Sequence, residues 1–195
     1  MGRIYYIMGK SSAGKDTLFR EIRHRLPELR TVIPYTTRPI REGEENGREY
    51  HFVEESRLAE LEAAGRVIEM RAYHTVHGVW KYFTVDDGQI DVRTADYLMI
   101  GTLESYEKMR EYYGAEFLAP IYIEVEAGER LSRALGRERM QKSPKYGEMC
   151  RRFLADEKDF AEENLYRLGI TRRFINDDKE QCLEEIIEVI HNGKL

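Results

Sequence analysis

From Gly9 the chain reads Gly9-Lys10-Ser11-Ser12-Ala13-Gly14-Lys15-Asp16-Thr17. Two glycines five apart with a lysine after the second match the spacing of a phosphate-cradling loop. The glycines let the backbone curl so that successive N–H groups converge on anionic oxygens. A helix behind the loop adds its unpaired N-terminal donors and positive dipole end. Lys15 is placed to reach β and γ phosphates and offset charge that builds during transfer. Three fixed positions arise by chance in roughly 3 of 10,000 windows at ordinary glycine and lysine usage. Here the match falls between a strand and a helix, so a glycine turn without ligand ranks well below an ATP site formed by residues 9–17. The residue after the lysine, where a hydroxyl is usual, is Asp16. A carboxylate is a hard oxygen ligand suited to Mg²⁺, and Asp16 is expected to hold that ion directly or through water. The competing reading is an acid that merely favours the helix N-terminus.

A second group of residues suits an acceptor phosphate. Arg38 and Arg41 flank Pro39 and Ile40 in one loop, and Tyr50 follows. Guanidinium forks pair bidentately with phosphate oxygens, which lysine cannot imitate. Singly, each arginine would read as a surface partner of Glu42, Glu44, Glu45 or Glu49; behind a phosphate loop, the pair reads as a clamp. A third group is Arg130, Arg133, Arg137 and Arg139, with Arg151 and Arg152 beyond a Ser143-Pro144 break. Arg133 and Arg137 lie one turn apart on one helix face. Arg133, Arg137 and Arg152 are expected to close over the phosphates as a lid, against the plainer reading of a solvated basic face. A strong general base is unnecessary, because an acceptor phosphate oxygen is already anionic. The histidines show no ligand spacing; His74 and His77 at most shape a pocket. Trp80, Tyr73 and Tyr82 can stack on a base or form a small core, and the core reading is preferred.

The elements that must position these groups alternate. Residues 4–8 read as a buried strand and 18–26 as a helix stopped by Pro27. Residues 31–53 are mostly loop, 54–64 helical, and 67–73 and 81–85 strands. Then come a strand at 97–100, a helix at 104–113, a strand at 120–125 and a helix at 129–140. One long helix over 148–168, a short strand at 173–176 and a helix at 181–191 complete the chain. Alternation of this kind predicts an α/β layer architecture with a mainly parallel sheet.

Composition bounds the partners. The chain has 195 residues, 42% hydrophobic and 34% charged, which suits one folded domain. A net charge of −5 argues against a broadly basic nucleic-acid surface. No apolar run approaches a membrane span. Cys150 and Cys182 lie outside any metal-type cluster, and a cytoplasmic protein with reduced thiols is expected. Oligomeric state is left open.

The chain resembles guanylate kinase. The resemblance is carried by residues 9–17, by the stretch Thr-Thr-Arg-Pro-Ile-Arg-Glu-Gly-Glu-Glu-Asn-Gly-Arg-Glu-Tyr-His-Phe-Val over 36–53, by Gly65-Arg66-Val67-Ile68-Glu69, by 133–137 and by Ile175-Asn176-Asp177. It implies a P-loop NTPase three-layer sandwich with core 1–33, 86–126 and 148–195, an acceptor-binding lobe 34–85 and a lid 127–147. It further implies Mg²⁺-assisted transfer from ATP to GMP or dGMP. Arg38, Arg41 and Tyr50 would hold the acceptor phosphate, Glu69 the guanine edge, and Tyr82 and Thr84 further acceptor contacts. Two departures touch base recognition: Pro34 stands where the family has a serine, and strand 97–102 carries no carboxylate. Another nucleotide or a ribose bisphosphate is therefore an alternative acceptor. A binding module without catalysis ranks lower, since such modules typically lose the loop lysine, and Lys15 is present along with Arg38 and Arg41.

Overall fold

A computed structural model describes residues 2–75 and 78–193; His77 lies outside the described residues. Strand β1 (Ile4–Met8) is wholly buried, which a strand covered on both faces requires. Helix α1 (Lys15–Arg25) starts behind Gly14, whose φ of 89° needs no Cβ, and carries Asp16 in its first turn and Arg23, His24 and Arg25 in its last. Then come β2 (Arg30–Thr31), β3 (Tyr35–Thr36), β4 (His51–Phe52), α2 (Glu55–Ala63), β5 (Val67–Thr75) and β6 (Gly78–Val85). Strand β7 (Tyr97–Ile100) leads into α3 (Leu103–Tyr113), capped by the Thr102 hydroxyl, which accepts from Ser105 N–H. Next are β8 (Leu118–Glu124), α4 (Ala127–Arg139), α5 (Tyr146–Asp159), α6 (Glu162–Arg167), β9 (Phe174–Ile175) and α7 (Lys179–Asn192).

The five strands β2-β7-β1-β8-β9 form one parallel sheet. Side-chain alternation divides its core. Tyr5, Ile7, Leu98, Ile121 and Ile123 pack with Leu18 and Ile22 of α1 and Leu183 and Ile186 of α7. Ile4, Tyr6, Met8, Tyr97, Met99 and Tyr122 pack with Tyr106 and Met109 of α3 and Leu165 of α6. Helices on both faces of a parallel sheet make the three-layer α/β sandwich expected from the alternation. Each aliphatic side chain so buried contributes about 1.5–3 kcal/mol relative to exposure.

A second sheet, β4-β3-β6-β5, projects between α1 and β7 in the chain. Its own core is Leu58, Leu61, Phe83 and Val85. Trp80, Tyr73 and Tyr82 are not part of that core, contrary to the sequence expectation. The β5–β6 register pairs Glu69 with Thr84, Arg71 with Tyr82 and Tyr73 with Trp80, so these six share the hairpin face opposite Phe83 and Val85. Tyr73 is exposed.

The single helix expected over 148–168 is two helices. Phe160 leaves helical geometry and is buried, stacking on Tyr122 with ring centroids 5.5 Å apart. The Asn164 side chain donates to the Lys158 and Asp159 carbonyls, at 3.2 Å each, near the end of α5. The break thus arises from a core contact with β8 and a side-chain cap, neither of which periodicity reveals. Among the described residues no helix is long and apolar enough to cross a membrane.

Candidate active site

The loop between β1 and α1 is held in shape by close approaches. A Cβ on Gly9 would lie 2.4 Å from the Ile123 carbonyl oxygen, and one on Gly14 would lie 2.4 Å from Asn176 Nδ2. Asn176 Nδ2 donates to the Ala13 carbonyl at 2.7 Å and is buried. The strand-end asparagine therefore fixes the loop from the β9 side. Lys15 is folded inward, its Nζ donating to the Lys10 carbonyl at 3.0 Å. Burial lowers its pKa, partly offset by the Asp16 and Asp156 carboxylates.

Helix α5 supplies acids to this loop. Ser11 N–H donates to Asp156 Oδ2 at 2.7 Å, and Lys10 Nζ to Glu157 Oε2 at 2.7 Å. The other Glu157 oxygen accepts from Arg130 of α4. Arg130 is buried at 1% exposure, its guanidinium 4.6 Å from the Phe153 ring centroid, and its Nε and Nη1 make no hydrogen bond. Sequence reasoning noticed Arg130 in the arginine cluster but preferred its neighbours, and it missed Asp156 altogether. Nothing local distinguishes an acid in the middle of a charged helix.

The expected lid arginines separate. Arg133 Nη2 donates to the Asn176 carbonyl at 3.2 Å and its Nε to Glu129 at 2.8 Å. Arg137 Nη2 donates to Ser12 Oγ at 3.3 Å. Both therefore reach the phosphate-loop region. Arg152 is exposed and held by Glu148 at 3.1 Å, one turn back on its own helix. Asp16 lies exposed on the first turn of α1. Among the described residues no cluster of three His, Cys, Asp or Glu could hold a metal alone. A lone carboxylate beside a phosphate loop fits Mg²⁺, which keeps waters and takes most of its remaining ligands from the substrate.

On the second sheet, Arg38 is 3% exposed. Its Nη1 and Nη2 donate to the two Glu44 oxygens at 2.8 Å each, and its Nε to Tyr82 Oη at 3.1 Å. Its guanidinium lies 5.5 Å from the Tyr50 ring centroid. Tyr82 in turn packs edge-on against both Tyr50 and Tyr73, at 5.6 Å. Arg41 is exposed, its guanidinium 5.9 Å from the Trp80 ring, while its backbone N–H donates to Glu44. Glu69 accepts from Thr84 Oγ1 at 2.7 Å and, side-on, from Arg71 Nε and Nη2 at 2.9 and 3.2 Å. The sequence left Arg71 unremarked; its i, i+2 spacing from Glu69 on a strand was the available signal.

A cleft of about 500 Å³ joins the two halves. Gly9, Ser11, Lys15 and Asp156 line it with Gly101 and Thr102 at the end of β7, and Arg71 and Tyr73 line it from the hairpin. The phosphate-cradling loop and the hairpin face thus open on one space. A parallel α/β sheet with such a loop at the carboxyl end of its central strand, facing a basic and aromatic lobe, is a P-loop α/β fold with a cleft between the sheet and the lobe. A sequence model of the family described as guanylate kinase matches residues 1–80. A guanylate kinase of Wolbachia from Brugia malayi is 27% identical, the alignment covering all of this chain and 94% of that protein. The guanylate kinase of Bordetella pertussis is 29% identical, covering all of this chain and 85% of that protein. A guanylate kinase of Nostoc reaches 44% identity, over 35% of this chain and 34% of its own. The crystal structure of guanylate kinase from Anaplasma phagocytophilum has the same fold, with a TM-score of 0.69, 18% identity and coverage of 100% and 87%.

Proposed function

We propose that this protein transfers the γ-phosphate of ATP to the phosphate of a nucleoside monophosphate, with GMP or dGMP as the principal acceptor. The observation that carries the reading is the shared cleft, lined by Lys15 of the loop and by Arg71 of the hairpin, which Glu69 holds. ATP phosphates take the main-chain donors of residues 9–14, and Ser11 N–H exchanges the Asp156 carboxylate for a phosphate oxygen. Lys15, partly buried with its Nζ on the Lys10 carbonyl, gains an anionic partner when the triphosphate arrives. Asp16 would hold Mg²⁺ from the protein side, directly or through water, and the ion would supply charge neutralisation to the phosphates.

The acceptor phosphate replaces Glu44 at the fork of Arg38. Tyr50 and Tyr82 add hydroxyl donors, Arg41 swings in from the rim, and Thr84 holds Glu69 in place. Arg133 and Arg137 put positive charge on the equatorial oxygens of the transferring group, and closure excludes water. Arg152 joins them only if α5 moves with the lid.

A coupled assay of ADP release over GMP, dGMP, AMP, CMP, UMP and a ribose bisphosphate tests this reading. GMP-dependent turnover that needs Mg²⁺ is expected. Turnover with the sugar phosphate alone would move the protein to a different acceptor, and no turnover with any acceptor would leave a binding module.

A further inference from the structure

The far end of the cleft is built from an unusual pair. Gly101 closes strand β7 without a side chain, and a Cβ there would lie 2.1 Å from Tyr6 Oη. That hydroxyl is buried and donates to Ser105 Oγ at 2.6 Å, so no acidic side chain fits at 101. Pro34 offers neither a hydroxyl nor an N–H. The best-buried charged groups at this end are Glu69 and Arg71, whose side chains are 1% and 13% exposed, while Glu104, Glu107 and Arg167 also line the cleft.

Their geometry divides the labour. Glu69 Oε1 already accepts two hydrogen bonds, from Thr84 and from Arg71 Nη2, and Oε2 accepts one from Arg71 Nε. Three of the carboxylate's roughly four acceptor positions are thereby taken, two of them by the side-on face of the guanidinium. On the end-on side Nη1 donates to the Thr102 hydroxyl at 3.4 Å, and the Tyr73 hydroxyl is a further hydrogen-bonding neighbour of the guanidinium. Arg71, Thr102 and Tyr73 all line the cleft. An arginine held side-on by a carboxylate and met end-on only by exchangeable hydroxyls presents two parallel donors in a fixed plane to a ligand that displaces them, and the complement is a pair of adjacent acceptors.

Among nucleobases that pair is the O6 and N7 of a 6-oxopurine. Adenine keeps N7 but sets an N6 amino donor against the fork, and pyrimidines have no N7. We infer that Arg71 is the specificity-determining residue of the acceptor site, reading O6 and N7, with Glu69 acting as its positioning residue. The 2-amino group of guanine then contributes little, and the acceptors are 6-oxopurine monophosphates as a class. This rests on the kinase reading above and deepens it.

The test is steady-state kinetics with GMP, IMP, 7-deaza-GMP and AMP on the wild type and on Arg71→Met and Arg71→Lys. In the wild type, IMP should match GMP within about threefold in kcat/KM, while 7-deaza-GMP and AMP lose on the order of tenfold or more, mainly through KM. Arg71→Met should bring GMP and 7-deaza-GMP together, with kcat less affected than KM, and Arg71→Lys should recover only part of the preference. A large preference for GMP over IMP, or full activity with 7-deaza-GMP, would overturn the inference on the wild type alone, whatever the variants' folding. Equal losses for all four nucleotides in Arg71→Met would reduce Arg71 to a scaffold residue and overturn it too. If no monophosphate is turned over, the kinase reading itself fails first.

Discussion

Ser11 and Asp156 are 145 residues apart in sequence, yet the backbone N–H of one donates to the carboxylate of the other at 2.7 Å. In the proposed function that donor serves a nucleotide phosphate, so binding would exchange one anion for another. Asp156→Asn removes the competing charge. Metal-free ATP should bind about three- to tenfold tighter to this variant, by titration calorimetry. Weaker binding would mean that Asp156 helps the nucleotide rather than stands in for it.

Lys15 is charged at a cost. Its pKa is lowered from 10.5, chiefly by burial. Between the lowered value and 10.5 the unfolded chain binds the proton more tightly, so this lysine's contribution to stability rises with pH across that interval. Lys15→Met should therefore keep or raise the Tm near neutral pH while kcat falls on the order of a hundredfold or more. A variant that lost stability in step with activity would mark Lys15 as structural.

Glu44 has the opposite sign. The hydrogen bonds from Arg38 hold its carboxyl below the usual 4.5, helped by the Arg41 N–H. Its stabilising effect is complete above 4.5 and is lost as pH falls through the lowered value. The stability gap between wild type and Glu44→Gln, from urea unfolding at several pH values, should be widest near neutrality. It should close once the pH lies below both values; a gap independent of pH would show that the charge is not what Arg38 holds.

Gly101→Ala tests why strand β7 ends without a side chain. The added methyl meets Tyr6 Oη and ring carbon within 3 Å. Overpacking of that kind costs about 1–3 kcal/mol, read from the urea midpoint. No loss would mean that the Tyr6 ring yields, and that the space for an acid at 101 is not closed by this contact.

The phosphate loop was legible in the sequence because its causes are local. Glycine conformations, a buried apolar strand and an amphipathic helix are written in adjacent residues, and Ile4–Met8 and Lys15–Arg25 form close to the positions the pattern predicts. The alternation of strands and helices likewise suffices for a parallel α/β sheet. One-turn spacing puts Arg133 and Arg137 on one helix face, and their side chains meet the Asn176 carbonyl and the Ser12 hydroxyl.

What the tertiary structure alone decided is which charged groups face which. Arg152 had the same credentials as Arg137 but turns to Glu148, since a helix break sets the direction of each face. Phe160 ends α5 because of Tyr122, a contact across 38 positions. Asp156 at the loop, Glu157 beneath Arg130, and Arg71 beside Glu69 with Tyr6 over Gly101 depend on side chains brought together from separate elements. The residue types state which charges exist; only packing fixes the low-dielectric spaces in which a few of them, among many solvated ones, acquire a partner and a task.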